Sequence, residues 1–252
     1  MGDRMRLQGK RAVVTGGASG FGAGIVRAFV AEGARVAIVD LNGPGAAALA
    51  AELGGEALGI QVDVASPASI EAMKSGVIDA FGGVDILVNN AGIGHLPQAL
   101  EDLDEAEFDR IFAVNAKSVY LTARAFVPDM KARRTGAILN IASTGGVSPR
   151  PRLTWYNASK GWMITATRAM AVELAPAGIR VNALNPVAGE TPLLSTFMGE
   201  DTPEIRARFL ASIPIGRFST PQDMGAAATF LCSDEASMIT GVALQVDGGR
   251  CI

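Results

Sequence analysis

Only two cysteines, Cys232 and Cys251, occur in the 252 residues, too few for a disulfide framework and without any spacing that would ligate a metal. A single histidine, His95, leaves no material for a His-rich zinc site and makes a Ser-His-Asp triad a poor fit. Charged residues make up 19% and the net charge is −3, with no Lys/Arg run beyond two or three residues. Neither a nucleic acid nor an anionic membrane is therefore an expected partner. No apolar run approaches the ~20 residues that cross a bilayer. The stretch Met1 to Gln8 carries charges but no apolar segment follows it, as a secretory signal requires. These absences point to a reducing cytoplasm and to a site without metal.

Hydrophobic residues, by contrast, make up 49%, enough for a large core, and the length suits one α/β domain over 1–252. Short apolar runs alternate with longer amphipathic segments. Arg11 to Thr15, Arg35 to Asp40, Asp85 to Asn89, Ala137 to Ile141 and Arg180 to Leu184 read as buried strands, and Val242 to Val246 closes the series. Strands apolar on both faces belong to parallel sheets. Between them, Ile25, Phe29 and Val30 share one helical face, and Phe108, Ile111, Phe112, Val119, Thr122 and Phe126 form a stripe on another. The Ala-rich piece Gly45 to Ala51 reads as helix. The alternation predicts a Rossmann-type doubly wound parallel sheet with helices on both faces. No repeat or linker divides it. Ligands of such sheets bind beyond the carboxyl ends of the strands.

The segment after the first strand is Thr15-Gly16-Gly17-Ala18-Ser19-Gly20-Phe21-Gly22, which opens into a helix. Glycines let a pyrophosphate approach the backbone, and a helix N-terminus offers free N–H groups and a favourable dipole. A plain tight turn would not need so many glycines, so a nucleotide is expected here. Asp40 ends the second strand about twenty residues on, where an acid accepts both ribose hydroxyls. Its carboxylate would repel a 2′-phosphate, and the neighbours Leu41, Asn42 and Ser19 carry no positive charge. The cofactor expected is NAD rather than NADP. Asp40 also reads as a simple cap of the next segment.

Tyr156-Asn157-Ala158-Ser159-Lys160 begins a helical segment, and residues at i and i+4 share a face. An ammonium beside a phenol favours the phenolate and makes a usable acid–base group. Alone, such a pair reads equally as a surface helix pair. It is not alone. Ser143 follows a strand end, Asn89-Asn90-Ala91-Gly92 follows another, and Asn115 sits in an apolar helix where an amide needs partners.

Together with Asp63-Val64, the segment from Asn185-Pro186 to Thr191 and the closing Val246-Asp247-Gly248-Gly249, these motifs resemble the short-chain dehydrogenase/reductase family along essentially the whole chain. The resemblance is to its compact members, known as 3-oxoacyl-carrier-protein reductases and as sugar or alcohol dehydrogenases. It implies a catalytic tetrad of Asn115, Ser143, Tyr156 and Lys160. Tyr156 is then the acid or base, Ser143 holds the substrate oxygen, Lys160 binds the nicotinamide ribose, and Asn115 anchors a water. It also implies adenine contacts by Asp63 and Val64, a ribose-side loop at Asn90, Ala91 and Gly92, and a nicotinamide contact by Pro186 and Thr191. In this chain Val187 replaces the glycine many relatives have, and Gly189 stands where a branched residue is usual.

Several features stay open on sequence. His95 is either a substrate contact or an ordinary loop residue. Arg150 and Arg152 either attract an anionic substrate or face solvent or another subunit. Trp155 either lines the site or packs. Glu190 to Pro214 reads, by resemblance, as an apolar lid carrying Leu193, Leu194, Phe197 and Met198. Apolar faces around Ala106 to Met130 and Trp162 to Leu174 agree with the family's homotetramers. The activity expected is NAD(H)-dependent interconversion of a secondary alcohol and a ketone. The alternatives are a 3-oxoacyl-thioester reductase and a nucleotide-binding regulator without catalysis.

Overall fold

The computed structural model describes residues 5–252, so the first four residues of the Met1–Gln8 stretch lie outside the described part. Seven parallel strands form one sheet: β1 (Arg11–Thr15), β2 (Arg35–Asp40), β3 (Ala57–Gln61), β4 (Ile86–Asn89), β5 (Gly136–Ile141), β6 (Ile179–Pro186) and β7 (Ala243–Val246). Their order is β3-β2-β1-β4-β5-β6-β7, and the pairing is parallel throughout, for example Val13 beside Ala37 and Leu87. Six of the seven match the runs read from sequence to within one or two residues at each end. The seventh, β3, is the addition. It lies at the sheet edge with a half-exposed pattern and contains Gly59, and an edge strand with a central glycine carries a weak signature.

Successive residues of β1 explain why these strands read as continuous apolar runs. Ala12 and Val14 pack into a cluster on one face of the sheet, whereas Val13 packs into a cluster on the other. The first cluster holds Ile25 and Phe29 of α1 (Gly20–Ala31) against Met224 and Leu231 of α9 (Pro221–Cys232). The second holds Ile70 and Met73 of α3 (Pro67–Phe81), Phe126 and Met130 of α5 (Ser118–Arg133), and Ala171 and Leu174 of α6 (Thr154–Leu174). Fully buried side chains such as Phe29 and Phe126 each contribute about 1.5–3 kcal/mol of transfer free energy.

The remaining helices are α2 (Gly43–Leu53), which contains the Ala-rich piece, α4 (Glu105–Phe112), α7 (Leu193–Met198) and α8 (Pro203–Ala211). Among the described residues no helix is long and apolar enough to cross a membrane. The chain builds β1, β2 and β3 outward in one direction, then crosses back to place β4 on the other side of β1. The loops after β1 and β4 therefore diverge and leave a crevice between them.

Candidate active site

A cleft of about 460 Å3 opens over the carboxyl ends of the strands. At one end it is bounded by the turn after β1, and Gly16, Ser19, Gly20 and Phe21 line it. Gly16 sits at φ +62° and Gly20 at φ +52°, a left-handed backbone that favours glycine. Ser19, the N-cap of α1, makes no side-chain cap, which leaves first-turn N–H groups open toward the cleft. Gly22 lies just beneath. A Cβ there would stand 2.0 Å from the Gly16 carbonyl oxygen, so only glycine lets the turn fold down on its helix. This bare backbone cradle fits a pyrophosphate.

Asp40, at the end of β2, also lines the cleft. Its Oδ2 accepts the Ala18 N–H at 3.0 Å and its Oδ1 accepts the Asn42 N–H at 2.9 Å. The carboxylate is thus tied to the glycine turn and held at its rim, and Asp63 and Val64 lie along the same wall. After β4, Asn90 donates through Nδ2 to the carbonyls of Thr15 and Gly16, both at 2.9 Å. Ala91 and Gly92 continue that wall. The Asn90 and Ala91 N–H groups also donate to Thr15 Oγ1, at 3.0 and 3.1 Å, so the two divergent loops are stitched together at their roots.

The far end of the cleft collects Ser143, Tyr156 and Lys160. Ser143 follows β5, and its Oγ accepts the Gly145 N–H at 3.0 Å. Tyr156 and Lys160 stand one turn apart near the start of α6. Both are buried. Burial pushes the Tyr156 phenol up to about 12, with the Ser143 hydroxyl pulling the other way. Burial also pushes the Lys160 ammonium down to about 8. The sequence suggested a phenol made acidic by its lysine neighbour. Desolvation of the buried phenol dominates instead, and the lysine Nζ turns to the Ile141 carbonyl at 2.8 Å.

Asn115 does not reach the cleft surface. It is fully buried behind it, in a π-helical turn (Ala113–Lys117) between α4 and α5. Its amide has the partners that its apolar setting demands. Oδ1 accepts the Ile93 N–H at 2.9 Å, and Nδ2 donates to the Ile93 carbonyl at 2.9 Å and to Ser159 Oγ at 3.0 Å. Asn115 thus clamps the loop after β4 to the helix bearing Tyr156. Beneath it runs a polar column that sequence reading passed over, in which Thr122, Asn89, Asn140 and Thr167 are joined at 2.7–2.8 Å. An asparagine in the middle of an apolar strand run, such as Asn140, is the signal that was available.

Pro186, Val187 and Thr191 line the wall after β6. Val187 faces an apolar cluster with Leu194, Met198, Ile213 and Phe218. Gly189 has a concrete cause: a Cβ there would stand 2.2 Å from Phe21 Cζ, so the phenylalanine ring occupies the space a branched side chain would need. Within the stretch read as a lid, α7 lays Phe197 over Tyr156, with ring centroids 4.7 Å apart. A Cβ on Gly94 would meet that ring at 2.5 Å. Phe209, of α8, lines the cleft as well, and nothing in its sequence context marked it.

Of the open features, Arg150 lines the cleft and His95 and Trp155 do not. His95 is 2% exposed, with Nδ1 against the Leu96 carbonyl at 2.8 Å. Trp155 packs edge-on against Phe108 and donates its Nε1–H to the Leu100 carbonyl at 3.0 Å. Arg152 donates to the Pro97 carbonyl. Cys232 is a buried thiol pushed up to about 12 by desolvation. Among the described residues no group of three or more His, Cys, Asp or Glu is placed to hold a metal.

A doubly wound sheet with a backbone phosphate cradle, an acid at the second strand end and a buried Tyr–Lys pair defines a nucleotide-dependent oxidoreductase site. The family follows from comparison: a sequence model described as enoyl-(acyl carrier protein) reductase matches residues 16–250, and the chain belongs to the short-chain dehydrogenase/reductase family. The chain is 49% identical over 252 residues to 4-formylbenzenesulfonate dehydrogenase of Comamonas testosteroni, covering 98% of this chain and 100% of the relative. It is 39% identical over 249 residues to 2-(S)-hydroxypropyl-CoM dehydrogenase 3 of Xanthobacter autotrophicus, covering 97% of each. A crystal structure of 3-ketoacyl-(acyl-carrier-protein) reductase from Brucella melitensis complexed with NADH superposes with TM-score 0.93. It is 52% identical in sequence, covering 98% of this chain and 100% of that one. The chain is accordingly an oxidoreductase of the kind that acts on alcohol carbons.

Proposed function

We propose that the protein is an NAD(H)-dependent dehydrogenase that interconverts a secondary alcohol and a ketone. The observation that carries this reading is the meeting of Ser143, Tyr156 and Lys160 in the same cleft as the glycine turn and Asp40. NAD(H), when bound, accepts or supplies the hydride. The glycine turn and the α1 N-terminus would hold its pyrophosphate, and Asp40 would accept the adenosine ribose hydroxyls and repel a 2′-phosphate. Among the other cleft residues, Asp63 and Val64 would contact the adenine, Asn90, Ala91 and Gly92 a ribose, and Pro186 and Thr191 the nicotinamide. Lys160, with one of its three N–H donors engaged by Ile141, has the others for the second ribose.

Ser143 Oγ donates a hydrogen bond to the substrate oxygen and stabilises charge as it develops. Tyr156 takes the alcohol proton in oxidation and returns it in reduction. Asn115 keeps the loop after β4 and α6 in register while this happens. Residues 190–214 act as the lid that covers the substrate, and exposed apolar side chains on α5, α6 and β7 (Tyr120, Trp162, Val172 and Leu244) support a homotetramer.

Oxidation uses the phenolate. Because burial places the Tyr156 phenol high, at about 12, the oxidation rate should climb with pH through the alkaline range, while reduction, which uses the phenol, should not. Tyr156→Phe should lower kcat by about 10²–10⁴ while NADH affinity stays within about twofold, since the phenyl ring still packs under Phe197. Full activity in that variant, or a flat oxidation profile under conditions where chemistry limits, overturns the reading.

A second reading, reduction of a 3-oxoacyl thioester, is favoured by the description of the Brucella neighbour. An NADH-fluorescence screen of secondary alcohols, polyols and 3-oxoacyl thioesters separates the two. A regulator that only binds nucleotide has no use for all four of Asn115, Ser143, Tyr156 and Lys160.

A further inference from the structure

The substrate end of the cleft is lined mostly by apolar side chains, and besides Lys160 it carries one further cation, Arg150. Its backbone is fixed by the helix that carries Tyr156, because Asn157 Nδ2 donates to the Arg150 carbonyl at 2.8 Å. Its guanidinium carbon lies over the Phe209 ring, 4.1 Å from the centroid. Such stacking orients the planar fork. Of its five N–H donors, one is engaged among the described residues, a 3.3 Å bond to Ser212 Oγ.

What Arg150 lacks is an acid. Two arginines of the neighbouring segments have one: Arg206 pairs with Asp201 at 2.5 Å and Arg217 with Asp223 at 2.6 Å. Among the described residues no carboxylate lies within ion-pair distance of Arg150. The charged group that acts on it is Arg250, also cationic, whose Nε is buried without a partner and whose Nη1 approaches Ser148 Oγ at 3.4 Å. Desolvation first, and Arg250 second, push the Arg150 guanidinium below its ordinary value. An arginine remains charged under such pressure. A half-buried, preoriented, unneutralised cation facing a cleft is costly to the protein alone, and a bound anion relieves that cost.

We propose that Arg150 is a specificity-determining residue that seats an anionic end group, a sulfonate or a carboxylate, on a substrate whose body is apolar. The inference rests on the reading of the cleft as a dehydrogenase site and names the substrate class that site takes. Leu153, Phe197 and Phe209 enclose the apolar body, Ser143 and Tyr156 meet the reacting oxygen, and the guanidinium fork receives two oxygens of the anion side by side.

The test uses two rings of nearly equal shape, benzenesulfonate and its neutral analogue benzenesulfonamide, titrated into the enzyme–NADH complex. The wild type should bind the sulfonate about tenfold to a hundredfold more tightly than the sulfonamide. Arg150→Gln should remove that preference with sulfonamide binding unchanged, and Arg150→Lys should keep part of it. Benzoate should behave as benzenesulfonate does. Equal binding of sulfonate and sulfonamide by the wild type overturns the proposal. So does equal weakening of both in Arg150→Gln, because that marks Arg150 as a strut between α6 and the lid. NADH fluorescence in the same samples keeps the two levels apart. A protein that binds no NADH defeats the dehydrogenase reading, whereas NADH binding without anion preference defeats the anion seat alone.

Discussion

The two ends of the cleft are built from different material. The cofactor end is backbone: Gly16, Gly20 and Gly22, an open helix N-terminus, and an Asp40 carboxylate tied by two hydrogen bonds. Its shape leaves no slack, since a single added methyl at Gly22 meets the Gly16 carbonyl oxygen at 2.0 Å. The substrate end is side chain: Phe197 over Tyr156, Phe209 under Arg150, and short helices α7 and α8 whose packing partners are one small apolar cluster. Backbone geometry serves any chain that binds the same nucleotide. Side-chain geometry is where one substrate is told from another.

Substitutions at the two ends should therefore fail in different ways. Among three substitutions that leave Ser143, Tyr156 and Lys160 in place, the largest effect is expected from Gly22→Ala, where the added Cβ must push the turn aside. Overpacking of this kind costs about 1–3 kcal/mol of stability, and NADH affinity should fall by about tenfold to a hundredfold. Thermal melts and NADH-fluorescence titration measure the two. Unaltered NADH binding would mean that the cofactor end is not the rigid one.

Next in size is Asp40→Ala. Loss of a charged hydrogen-bond acceptor should narrow the preference for NAD over NADP by about tenfold, read from kcat/KM with each nucleotide. A preference that stays the same removes Asp40 from cofactor selection. The smallest effect is expected from Phe197→Ala. Aromatic packing over Tyr156 is worth about 0.5–1.5 kcal/mol beyond its area, so kcat/KM for the alcohol should drop about threefold to tenfold with NADH binding untouched. If NADH affinity falls as well, the two ends are not separable in this way.

The same contrast explains what was legible in the sequence. The strands buried on both faces left largely apolar runs, and the glycine turn, Asp40 and Asn90 sat at the ends of three of them, so position in the sheet and chemistry could be read together. β3 escaped because it is an edge strand with Gly59 at its centre. Gly189 looked like a departure until Phe21, more than a hundred residues away in the chain, proved to fill its space. Arg150 and Trp155 flank Leu153 in a nearly continuous stretch, yet one faces the cleft and the other packs behind it against Phe108. No periodicity separates them, because the segment before α6 is irregular and its facing is set by the lid and by Asn157. The high proton affinity of Tyr156 was equally hidden, since helical spacing reveals a neighbour but not the depth of burial.

The contact between Phe21 and Gly189 joins these two ends mechanically. Phe21 belongs to the first turn of α1, and Gly189, three residues past the end of β6, is pinned to Ser219 by paired backbone hydrogen bonds on either side, Glu190 N–H to the Ser219 carbonyl at 2.9 Å and Ser219 N–H to the Ala188 carbonyl at 3.2 Å. The ring is a spacer between the glycine turn and the segment that leads into α7. Neither side of the ring can be enlarged without moving the other.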